Sequence, residues 1–124
     1  MTKHEIGLKR IQEILGSNAL GLLENFKAIS PDFTNYIIEF GYGDLYNRKG
    51  FDNKSRELAA VSNLIGQGNT GLPLKAHING MLNVGWTELE IIELIIFLIG
   101  YSGFPNAVEA IKVAQEVFDA RKEK

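Results

Sequence analysis

The chain has 124 residues and a mass of 13.8 kDa, enough for one compact domain whose core needs no covalent staples. Its 45% hydrophobic and 23% charged residues exclude a disordered chain. A net charge of −2 supplies no basic face for nucleic acid or an anionic membrane, and zero cysteines exclude disulfides, thiolate metal sites and thiol peroxidase chemistry. The first residues, MTKHEIGLKR, hold no apolar signal region, so the expected location is cytoplasmic.

The dominant apolar period is helical. Thr2 with Glu5 makes a capping box for a first helix, which carries Ile6, Ile11, Ile14 and Leu15 and stops at Gly16. A second short helix is expected over Leu20–Ala28. Ser30-Pro31 reads as an N-cap followed by proline in the first turn, and Phe33, Tyr36, Ile37 and Phe40 follow at helix spacing. Gly41 and Gly43 interrupt that pattern before the polar turn Asn47–Gly50. Asp52 is placed to cap the next helix, which puts Leu58, Val61, Leu64 and Ile65 on one face and ends in the glycine-rich Gly66–Gly71. Pro73 restarts a helix through Leu74, Ile78, Met81 and Leu82, closed by Gly85. Thr87 and Glu90 form a second capping box, Gly100–Gly103 breaks the helix they open, and Pro105 begins the last one. No strand pattern occurs. The fold class is all-α, a single-domain bundle of about six helices, with N-terminal helices over 1–30 and a core region over 31–124.

Leu89–Ile99 is the most apolar stretch and is apolar nearly all round. It is too short to cross a bilayer, which takes about 20 residues, and it contains Glu93. A helix of this kind is surrounded on all sides, either within the bundle or by another copy of the chain. Ile95 is here taken as outward-facing and available to such a contact.

GQGNTG literally matches the dinucleotide-binding pattern G-x-G-x-x-G, but that pattern works only after a strand. The preceding KSRELAAVSNLI is helical in spacing, so the segment reads as a helix–loop–helix connection. His77 lies beside Leu74, Ile78 and Met81 at a helix edge, where packing and chemistry are both open to it. His4 belongs to the exposed first turn. Two histidines and no cysteine leave no metal-binding motif, so no metal is expected. Arg48, Arg56, Glu57 and Glu93 adjoin apolar runs that should turn them inward or to a helix edge, with surface ion pairs the default for most such charges. Glu93, between Ile92 and Leu94, is expected to be buried or half-buried and paired.

Three segments in order, FGYGDLYNRKGFDNKSREL, KAHINGMLNVGWTELEIIEL and YSGFPNAVEAI, resemble the carboxymuconolactone decarboxylase family, a relative of the alkyl hydroperoxidase D-like proteins. The resemblance covers Phe40 to about Ile111. It implies an all-α fold, a ring-like homo-oligomer (a trimer or hexamer) with sites at subunit contacts, and cofactor-free chemistry on a small carboxylated lactone. By position, His77 matches the family's histidine, Arg48 and Arg56 its arginines, Glu93 its glutamate and Tyr101 the tyrosine of Y-x-G-x-P. The hydroperoxidase branch carries a C-x-x-C pair that this chain lacks. Many decarboxylase-branch members carry His or Gln where this chain has Phe97, which removes a polar group from the expected pocket.

The implied activity is cofactor-independent acid/base decarboxylation of a small organic acid or lactone. His77 is the general acid, oriented by Glu57 or Glu93. Arg48 or Arg56 pairs with the substrate carboxylate, and Tyr101 and Phe97 shape the pocket. The alternative is a non-catalytic binding or structural oligomer of the same fold. A nucleotide-binding domain built on GQGNTG is the third and weakest reading.

Overall fold

A computed structural model describes residues 1–123, and among the described residues every regular element is helical. The chain forms two compact units, Met1–Asn53 and Lys54–Lys124.

In the first unit, α1 (Lys3–Leu15) opens on the Thr2–Glu5 capping box and buries Gly7, Ile11 and Ile14 on one stripe. Gly16 ends it and leads directly into α2 (Ser17–Ile29). Ser30 accepts a hydrogen bond from the Phe33 amide and starts α3 (Pro31–Asn35). The helix does not break at Gly41 and Gly43. It widens into π-helical turns over Tyr36–Asp44 and tightens into a 3-10 turn over Leu45–Asn47. Glycine in a helix interior costs about 1 kcal/mol relative to alanine, so it weakens a helix without forbidding it. Packing repays that cost here: Gly43 is buried, and a Cβ on it would lie 2.9 Å from the Lys3 carbonyl oxygen. Gly7 is tighter still, since a Cβ there would overlap the Ile38 carbonyl oxygen. Lys3–Asp44 at 3.3 Å and Arg10–Asn47 at 2.8 Å hold α1 to the end of this segment at the surface.

In the second unit, α4 (Asn53–Gly66), α5 (Leu72–Asn83) and α6 (Glu88–Lys122) share one core. Its centre is Val61 and Ile65 of α4, Leu74, Ile78 and Met81 of α5, and Ile91 and Ile95 of α6, each almost wholly removed from water. At Thr87 and Glu90 the second capping box is formed in full. Within α6 the backbone leaves the helical region at Gly103 (φ 83°, ψ 166°), a conformation open essentially to glycine alone, and Pro105 follows in the first turn of the second arm. By length and composition α6 could cross a membrane. The Gly103 break leaves a first arm of about 15 residues, rising ~22 Å against a hydrocarbon core of ~30 Å. That arm contributes Ile91, Ile95 and Leu98 to the protein core, so α6 reads as a core helix.

Two expectations are corrected on this helix. Ile95 is not outward-facing: it is buried, with Ile91 and Leu98, and the outer face is carried by Leu89, Ile96, Phe97 and Tyr101. Nor is Glu93 buried; it is exposed. Residues 91 and 95 are one turn apart and share the core face, so residue 93, about 200° from both, points away from it.

Candidate active site

Glu57, Val61 and Ile65 lie four residues apart on α4 and form its buried face. Glu57 is thus carried into the core by the same periodicity that buries its apolar neighbours. It has no solvent exposure at all. On α5, Leu74, Ile78 and Met81 enter the core and hold His77 at its margin, with 17% of its side chain exposed. The two helices bring Glu57 Oε1 to 2.7 Å from His77 Nδ1. With Glu57 ionised its carboxylate only accepts hydrogen bonds, so Nδ1 is then the donor in this contact and Nε2 is the nitrogen that Glu57 does not engage.

Polar contacts also link the helices that carry this pair. The Trp86 indole N–H donates to the Lys54 carbonyl at 2.9 Å, while the Lys54 ammonium lies 4.5 Å from the centre of the indole ring. These contacts join the start of α4 to the segment just past α5. At the far end of α4, the Asn106 amide donates to the Ile65 carbonyl at 3.0 Å. Arg121 of α6 donates to Asn79 and Asn83 of α5, at 2.5 and 3.1 Å.

The other candidates fall in different places. Arg56, half-buried, precedes Glu57 on α4. Arg48 is exposed in the first unit, just after the 3-10 turn. Of the two carboxylates considered for the imidazole, Glu57 makes the contact. Phe97 and Tyr101 pack on one another, ring centres 5.4 Å apart, and are 63% and 80% exposed. They belong to an apolar stripe along α6 that continues through Phe104 and Val108. The GQGNTG segment follows a helix, as expected of a connecting loop, with Gly68 at φ 71° against Asn106. Among the described residues, no three His, Asp or Glu side chains are grouped to hold a metal ion. Sequence reasoning named Glu57 but left it between an inward position, a helix edge and a surface ion pair; it is fully buried. The signal was present: position 57 is one and two turns from Val61 and Ile65 on the same stripe.

Fold and site together define an all-α protein with a histidine backed by a fully buried carboxylate, an arrangement suited to proton transfer. The family model for the carboxymuconolactone decarboxylase family matches residues 31–116. The chain is 32% identical over 117 residues to 4-carboxymuconolactone decarboxylase of Acinetobacter baylyi, covering 94% of this chain and 87% of that one. It is 33% identical over 114 residues to nitrosuccinic acid decarboxylase of Metarhizium robertsii, covering 91% and 79%. An uncharacterized 15.0 kDa protein of Paracoccus denitrificans is 30% identical over 89 residues, covering 71% and 66%. The chain belongs to the carboxymuconolactone decarboxylase family, and its all-α fold is the one expected of that family.

Proposed function

We propose that this chain decarboxylates a small organic acid in which the carbon losing CO₂ can pass its electron pair to an oxygen function, such as a lactone carbonyl or a nitro group. The observation that carries the reading is the 2.7 Å contact between His77 and the wholly buried Glu57. A buried ion pair is a poor device for stability, because desolvation offsets most of its attraction and an apolar pair of similar volume does as well. A carboxylate kept in the core under a solvent-reachable imidazole is better accounted for by chemistry. The same argument weighs against the non-catalytic alternative. The names of the two decarboxylase relatives, one a carboxylated lactone and one a nitro-substituted succinic acid, support the substrate class.

In this reading Arg56 holds the substrate carboxylate by a charge-assisted pair. The C–C bond breaks, CO₂ leaves, and the electron pair moves into the substrate's own oxygen acceptor, so the substrate supplies its electron sink and no cofactor is required. His77, protonated at both nitrogens, donates its Nε2 proton to carbon, and Glu57 is the positioning residue that holds the ring. We assign the exposed stripe bearing Ile96, Phe97 and Tyr101 to contacts between copies in a trimer or hexamer. Those two aromatic rings then serve assembly first and the pocket only through it.

The test is CO₂ release from 4-carboxymuconolactone, nitrosuccinic acid and a panel of related acids. Turnover of at least one, lost on replacing His77, is the expected result. A folded protein inert toward the whole panel contradicts the reading.

A further inference from the structure

The Glu57–His77 contact fixes more than an orientation. With Glu57 accepting from Nδ1, the neutral imidazole carries its lone pair on Nε2. In that state the dyad is a base before it is an acid. The ring keeps 17% exposure, so a proton taken up at Nε2 has a route to solvent, while the buried carboxylate compensates the imidazolium that forms.

We propose that the protein has a second activity: exchange of carbon-bound protons with solvent in small carboxylates that lack the departing carboxyl group. The substrate class is a carbon acid whose acidic C–H lies beside a carbonyl or nitro group and which keeps one carboxylate elsewhere for binding. The C–H bond breaks, its proton goes to His77 Nε2, and its electron pair moves onto the acceptor oxygen. The Nε2 proton then exchanges with water, and a solvent proton returns to the same carbon as the electron pair moves back. Nothing is oxidised or reduced, and no co-reactant is consumed. The step that returns the proton is the step that ends decarboxylation, so a site able to perform one performs the other in reverse. The inference rests on reading His77 as the proton donor to carbon, and its test separates the two activities.

The experiment follows loss of the carbon-bound proton signals of 3-nitropropanoate, and of an unsaturated γ-lactone bearing a carboxymethyl group, by proton NMR in D₂O. The unmutated protein, His77→Gln and Glu57→Gln are compared at equal concentration, each first shown to be folded by circular dichroism. The unmutated protein should exchange at least one probe about 10²–10⁴-fold faster per site than His77→Gln, the usual range for a general acid–base group. Glu57→Gln should lose most of that acceleration. In a parallel spectrum in H₂O its downfield Nδ1–H resonance should move upfield as a neutral amide oxygen replaces the carboxylate, a shift that a substitution away from the dyad would not produce. Exchange no faster than in His77→Gln overturns the proposal. If CO₂ is still released from a carboxylated substrate in that case, decarboxylation stands without it. Exchange without any CO₂ release supports the proposal and removes the decarboxylase reading.

Discussion

Replacing Glu57 tests how the site is built, because its partner and its burial are both defined. In Glu57→Ala the Nδ1–H of His77 faces a cavity in place of an acceptor 2.7 Å away. A hydrogen bond to a charged group contributes about 1.5–3 kcal/mol, and removing one partner of a buried pair costs about 3–5 kcal/mol. His77 keeps 17% exposure, so water recovers part of that loss and the lower end applies, about 3 kcal/mol. Unfolding entropy near 2.1 cal/mol/K per residue is about 0.26 kcal/mol/K for this chain, which converts the loss to a fall in Tm of about 11 °C. Glu57→Gln keeps the shape and an oxygen acceptor, so about 1 kcal/mol and about 4 °C are expected. Glu93→Ala, at an exposed position, should stay within about 0.5 kcal/mol, or about 2 °C. Thermal unfolding followed by circular dichroism gives all three values. An unchanged Tm for Glu57→Ala, or a larger loss for Glu93→Ala, would refute the assignment of Glu57 as the buried partner.

Further outcomes follow from other parts of the structure. Gly7→Ala forces a methyl against the Ile38 carbonyl and should cost about 1–3 kcal/mol in urea unfolding; no loss would show that α1 can shift freely. In light scattering coupled to gel filtration, Ile96→Lys should lower the mass of the proposed assembly while each chain stays folded. Ile95→Lys, in the core, should abolish cooperative unfolding; a 13.8 kDa monomer for the unmutated chain would refute the interface. Hydrogen bonds from the Thr87 amide and hydroxyl hold the Glu90 carboxyl below the ordinary carboxylate range. A lowered folded value means its stabilisation is present above that range and lost as pH falls through the lowered value. Glu90→Gln should therefore be less stable than the unmutated chain at neutral pH and converge with it in acid, whereas a constant gap at every pH would refute the ionic cap.

What the sequence made legible is what neighbours in the chain decide. Both capping boxes, the Ser30-Pro31 start and the break before Pro105 depend on residues within a few positions of one another, and all are present. Beyond that range the reading weakened for identifiable reasons. Along 89–99 both faces are apolar, so composition does not say which faces inward; packing against α4 and α5 selects Ile91, Ile95 and Leu98. The flanks of Glu93 suggested burial because adjacency in sequence was weighed above angular position. For Glu57 the same angular rule, applied to Val61 and Ile65, points inward. The passage of the helix through Gly41 and Gly43 was illegible because the compensation comes from Lys3, about 40 residues away in sequence.

The central claim is that His77, held by Glu57, moves a proton to or from carbon. Its most direct test is steady-state turnover of the best acid in the panel by the unmutated chain and by His77→Gln, with assembly mass and circular dichroism spectrum matched. The account predicts a fall in kcat of about 10²–10⁴-fold with a smaller change in KM. Full turnover by His77→Gln would contradict it and return the dyad to a packing role.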